Sequence, residues 1–125
     1  MVMSENIHIR AEFIIEKDNV EQFKKLIKQM SNVVETNEPS TVVYQFYINE
    51  DGTKCMVHET YVDSEAVLSH NESTASKTIL PKIFSIAELN ILDVYGNPSN
   101  ELKKLLASFN SQIFNLYTGF SRKNE

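Results

Sequence analysis

The chain has 125 residues, a single cysteine, a formal net charge of −5 and a pI near 5.2. That length suits one domain with one core, and the acidic balance, with no basic run longer than two residues, speaks against nucleic acid or an anionic membrane as a partner. One cysteine excludes an intrachain disulfide, the first ten residues hold no apolar run of signal-peptide length, and no stretch approaches the roughly 20 apolar residues that span a bilayer, so a cytoplasmic protein is expected.

From Ile7 to Ile15 apolar residues alternate with polar ones, which predicts a half-buried strand. Asp18, with Glu21 three residues on, has the pattern of a capping box and opens a helix. Its apolar stripe is Val20, Phe23, Leu26, Ile27, Met30, Val33 and Val34. Asn37-Glu38-Pro39-Ser40 breaks that helix. Thr41 to Ile48, rich in β-branched and aromatic residues, predicts a second strand. Asn49 to Thr53 is a turn carrying the Asp-Gly signal, and Lys54 to Val62 completes an antiparallel hairpin. Asp63 is a suitable N-cap for a short helix through His70. After a polar stretch, Lys77 to Ala87 predicts a helix that Pro81 must start or bend. Glu88 to Tyr95 predicts a fourth strand. Asn97 as N-cap with Pro98 following begins a last helix containing Leu102, Leu105, Leu106 and Phe109, and Ile113 to Phe120 adds a short final strand.

The order β-α-β-β-α-β, followed by a helix, is that of an α+β, ferredoxin-like split βαβ fold with an antiparallel sheet and a C-terminal helical extension. The core is expected over residues 7–96 and the extension over 97–125 of a single 1–125 domain. Val42, Tyr44, Phe46 and Ile48 share one face of the second strand, opposite Val43, Gln45 and Tyr47. Cys55, Val57, Glu59 and Tyr61 share one face of the third, opposite Met56, His58 and Thr60. Neither face is wholly polar, as a solvated sheet face would be. A homodimer that closes two sheets face to face is therefore expected, with Tyr47 and His58 as candidates for its interface.

Two segments carry a family resemblance. Glu38-Pro39-Ser40-Thr41-Val42-Val43-Tyr44-Gln45-Phe46-Tyr47 resembles the E-P-G-x-x-x-Y-x-F-Y entry to the second strand in the antibiotic biosynthesis monooxygenase (ABM) family, with Ser40 where that family usually has glycine. Glu59 to His70 resembles its E-x-[WY]-x-D-x-x-A-x-x-x-H run, which here continues into the polar Asn71-Glu72-Ser73-Thr74. The resemblance extends over roughly Ile7 to Gly96. It implies a dimeric α/β barrel and, for activity, a cofactor-independent monooxygenase acting on a quinol or polyketide-type aromatic molecule. The family also contains isomerases of small signalling sugars, which leaves isomerisation open, as it does a non-catalytic small-molecule-binding dimer. Its haem-degrading members use an asparagine, a tryptophan and a histidine, and this chain has no tryptophan.

His70 is the candidate catalytic base. It shares a helical face with Ala66 and Val67, and neutral imidazole suits proton abstraction from a phenol or enol near neutral pH. The competing reading is a histidine held by the helix C-terminus. Glu59 and Tyr61, alternating on one strand face, are candidates for bonding a substrate hydroxyl or orienting His70; otherwise they are structural. Phe13, Tyr44 and Phe46 are candidates for an aromatic-lined substrate pocket or plain core. His8, His58 and His70 have no metal-ligand spacing, and three scattered glycines make no nucleotide loop, so no metal and no cofactor is expected. Cys55 reads as a small buried residue.

Overall fold

The computed structural model describes residues 5–122. The outermost residues of the 1–125 span, including the first four of the segment tested for a signal peptide, lie outside the described residues. The elements are β1 (Ile7–Ile15), α1 (Val20–Asn37), β2 (Thr41–Ile48), β3 (Lys54–Tyr61), α2 (Ser64–Asn71), α3 (Thr74–Thr78), α4 (Leu80–Phe84), β4 (Ala87–Tyr95), α5 (Asn100–Ala107) and β5 (Ile113–Phe114). They build an α+β, ferredoxin-like fold on one sheet of order β2-β3-β1-β4-β5. The first four strands in sequence are antiparallel, whereas β5 runs parallel to β4, so the sheet is mixed rather than antiparallel throughout. Among the described residues no helix is long and apolar enough to cross a membrane.

The alternation in β1 is realised without a break: Ile7, Ile9, Ala11, Phe13 and Ile15 are buried and the residues between them half-buried. Cross-strand partners share a face, so the register places Tyr61, Glu59, Val57 and Cys55 beside Ile7, Ile9, Ala11 and Phe13, with Tyr44 and Phe46 next to them. This is the helix-covered face. Val20, Phe23, Leu26, Ile27, Met30 and Val34 of α1 pack onto it, and Phe13 meets Phe23 at 5.8 Å between ring centroids. The opposite face carries His8, Arg10, Glu12, Gln45 and His58 together with Val43, Tyr47, Met56 and Tyr95.

Two helix starts differ from the sequence reading. Asp18 lies in a 3-10 turn, Lys17–Asn19, and makes no capping bond; Asn19 holds the N-cap position, but its side chain donates to the Ile86 carbonyl at 3.3 Å, tying the helix start to the chain before β4. The last helix starts two residues later than expected, because Ser99 rather than Asn97 caps it, accepting from the Leu102 N–H at 3.1 Å. Asp63 does cap α2, accepting from the Ala66 N–H at 2.9 Å. The single helix expected over 77–87 begins and ends three residues earlier and is split at Ile79 into α3 and α4, with Pro81 in the first turn of α4. The final strand is cut to two residues, since only Ile113 and Phe114 reach β4.

The hairpin turn between β2 and β3 depends on Gly52, whose φ is +81° and whose missing Cβ would stand 2.5 Å from Val20 Cγ1. Gly52→Ala forces a left-handed conformation that costs about 1–2 kcal/mol on an L-residue, before the clash at the head of α1 is relieved. A lowered urea midpoint is the expected result; an unchanged one contradicts this account of the turn.

Candidate functional site

Pro39 determines where the first component of the site stands. A residue before proline is pushed out of the α region, so α1 ends at Asn37 and Glu38 takes φ −128°, ψ 73°. From there Glu38 reaches His70, at the last turn of α2: its Oε1 lies 2.6 Å from His70 Nδ1, with both side chains only 12% exposed. The backbone of His70 is pinned as well, its carbonyl accepting from the Ser76 hydroxyl at 2.6 Å and from the Ser73 N–H at 3.0 Å. The imidazole packs between two phenol rings, with centroids 5.4 Å from Tyr44 and 5.6 Å from Tyr61. Tyr44 in turn meets Phe46 edge-on at 5.1 Å.

A second proton-carrying pair stands on β3. The Tyr61 hydroxyl donates to Glu59 Oε1, and Tyr61 is fully buried. Burial, and then the Glu59 charge, push the phenols of Tyr44 and Tyr61 well above their usual range, so both remain protonated donors. Burial also raises the Glu59 carboxyl, against the opposing pull of His70. The folded chain therefore keeps a proton on Glu59 at a pH where the unfolded chain has lost it. The associated stability is complete below the ordinary carboxyl pKa and is lost as pH rises through the raised folded value. Glu59→Gln is accordingly expected to match the wild type in acid and to melt at a higher temperature at neutral pH. Thermal unfolding across that window checks this, and an equal gap at both ends contradicts it.

His70, Tyr44, Glu59, Tyr61, Phe13 and Phe46 all line one inner cavity of about 90 Å³ between the sheet and helices α2, α4 and α5. The structure thus brings together the six residues that the sequence offered as catalytic or substrate-binding candidates. It adds Glu38, which the sequence reading placed in a helix-breaking turn and at the head of the motif entering the second strand but gave no role in the site. It adds Leu105, Leu106 and Phe109 from the C-terminal extension as further walls. Glu38 itself faces a second, wider cleft of about 570 Å³, whose rim includes Ser40, Thr41, Asp63, Ser69, Ser73 and Thr74. Two of those polar side chains, Asp63 and Ser73, are engaged in capping α2 and α3.

Glu38 Oε2 is buried and makes no hydrogen bond to the described residues. His8 and His58 stand on the other face of the sheet, His8 bonded to Thr60 at 2.8 Å and His58 packed on Tyr47, and neither shares the cavity. Cys55 is buried, its thiol pushed up to about 12 by desolvation, which leaves it unreactive. Among the described residues no three His, Cys, Asp or Glu side chains group as metal ligands.

Residues 6–82 match the family model of antibiotic biosynthesis monooxygenase. No curated protein matches the chain. Among solved structures, MupZ from Pseudomonas fluorescens superposes with a TM-score of 0.82 at 28% identity, covering 98% of this chain and 93% of its own. A conserved protein from Methanosarcina mazei Go1 gives 0.67 at 18% identity, over 74% of this chain and 92% of its own. Rv0793 from Mycobacterium tuberculosis gives 0.66 at 16% identity, over 76% and 97%. The last two are likenesses of fold.

Proposed function

Since the chain belongs to the antibiotic biosynthesis monooxygenase family, we propose that it is a cofactor-independent monooxygenase that takes a small phenol or enol into the inner cavity and uses His70 as its base. The observation that carries this reading is His70 on the wall of an apolar cavity, backed by its buried partner Glu38. Glu38 accepts from Nδ1–H, which fixes the tautomer and leaves Nε2 with the lone pair. Nε2 removes the substrate proton. Tyr44 is the donor placed to stabilise the oxyanion that forms, while the Tyr61 hydroxyl is held by Glu59.

The substrate supplies the electrons. Its enolate carbon forms a C–O bond to dioxygen, giving a hydroperoxide. The O–O bond then breaks; one oxygen stays as a carbonyl and the other leaves as water with the two protons lost by the substrate carbon and by His70. One dioxygen is consumed per substrate and no external reductant is required. Oxygen-electrode assays with a panel of hydroquinones and anthrones test the reading. Uptake that depends on substrate and falls in His70→Ala supports it; uptake indifferent to His70 removes His70 from the mechanism.

A second reading has its own support. His70, paired with Glu38 behind it, and the Glu59–Tyr61 pair line one cavity, and an acid beside a base suits a proton shift along an enol without oxygen. Deuterium entering a ketone's α-carbon with no oxygen consumed would favour that isomerase over the oxygenase.

The open sheet face supports a homodimer as the working form. Tyr47, Ile91 and Tyr95 stand 52%, 40% and 39% exposed there, near Val43 and Met56, and a second copy would cover them. Sedimentation equilibrium at micromolar concentration distinguishes this from a monomer.

A further inference from the structure

The inner cavity has an end wall that the family-matched segment does not supply. Leu105, Leu106 and Phe109 form it, and all three lie beyond residue 82, where the family match stops. This wall is anchored from both sides. Leu102 and Leu106 of α5 are buried against Ile7, Ile9, Tyr61 and Val67, and the chain after the helix returns to pair with β4. The match to MupZ spans 98% of the chain and so includes α5, whereas the M. mazei and M. tuberculosis proteins leave about a quarter of the chain unmatched. The wall thus lies outside the segment that the family model matches.

The cavity it closes is small. An apolar cavity of about 150 Å³ holds one benzene, and the space here is about 90 Å³. That is less than one whole ring needs, so it takes only the hydroxyl-bearing edge of a single ring and has no depth for a second fused to it. Its polar lining includes Glu59, and Glu38 stands just behind His70, so an anion is disfavoured there. We propose that α5 and Phe109 are the specificity wall of this site, limiting it to an uncharged phenol or enol head no larger than a single ring. This rests on the proton-abstraction reading for the chemistry of the ligand; the size limit comes from the wall alone.

Binding rather than turnover tests it. Phenol and 1-naphthol are titrated into the full chain and followed by amide chemical shifts in the wild type, Leu105→Ala, Phe109→Ala and Leu105→Phe. Leu105 and Phe109 are half-buried, so the truncations spare the centre of the core. Hydrophobicity alone favours 1-naphthol, which has the larger apolar area. The expected result is the reverse in the wild type, phenol binding at least about ten-fold tighter, a gap of about 1.4 kcal/mol. Either alanine variant closes that gap, and Leu105→Phe weakens phenol itself. A wild type that binds 1-naphthol as tightly as phenol, or neither at all, overturns the proposal, as does an unchanged ratio in both alanine variants with native circular dichroism. Should those two variants fail to fold, undiminished phenol binding by Leu105→Phe overturns it as well. Loss of the oxygenase reading with the size ratio intact removes only the former; normal oxygen uptake with the ratio absent removes only the wall.

Discussion

His70→Ala is expected to lower kcat by about 10²–10⁴-fold, the usual contribution of a positioned general base. The effect should fall on kcat more than on KM, because the imidazole acts on the transition state while the apolar walls and the phenols hold the ground state. The substitution also strips Glu38 of its partner in a buried setting, which costs about 1–3 kcal/mol of stability by itself. Turnover must therefore be compared with His70→Gln, whose amide can still donate to Glu38 without acting as a base. If both variants fold and both lose turnover, the lost proton acceptor is responsible. If His70→Gln turns over like the wild type, the histidine is a structural link between α2 and the end of α1, and catalysis lies elsewhere.

Much of the architecture was legible because it rests on periodicity. The alternation through Ile7–Ile15 and the stripe from Val20 to Val34 each state which side of an element is greasy, and the structure buries those sides. The places where reading and structure part are those where local chemistry offers near-equivalent choices. Asp18 and Asn19, or Asn97 and Ser99, are each able to cap a helix; the choice was made by contacts far along the chain, such as the bond from Asn19 to Ile86. β5 is too short to leave a pattern, and its parallel pairing depends on where α5 sets the chain down.

The site follows the same division. Phe13, Tyr44, Phe46, Glu59 and Tyr61 lie on strands whose alternation groups them, although the side they shared with the helices became clear only from the register and packing. Glu38 belongs to no periodic element. It stands on a helix-terminating residue, 32 positions from His70, and only the packing of α2 beside the start of β2 joins them. The C-terminal wall escaped for a related reason: an amphipathic helix announces that it will bury a face, not what it will bury it against.

Glu38 is the sharper test of the mechanism, because its two roles separate by substitution. The carboxylate accepts from Nδ1–H, which sets the tautomer, and its charge offsets that of the imidazolium formed when His70 takes the substrate proton. In Glu38→Gln the amide oxygen still accepts from Nδ1–H, so the tautomer survives while the charge is gone. In Glu38→Ala both are lost. A charge-assisted hydrogen bond is worth about 1.5–3 kcal/mol, which corresponds to about 10–150-fold in rate. Glu38→Gln is expected near the lower end of that range and Glu38→Ala near the upper end, with KM little changed. Nitrogen-15 spectra of the imidazole provide a readout free of turnover: Nδ1 protonated in the wild type and in the glutamine variant, mixed tautomers in the alanine variant. A residue that merely joined α1 to α2 would shift the melting temperature in both variants and leave kcat as it was.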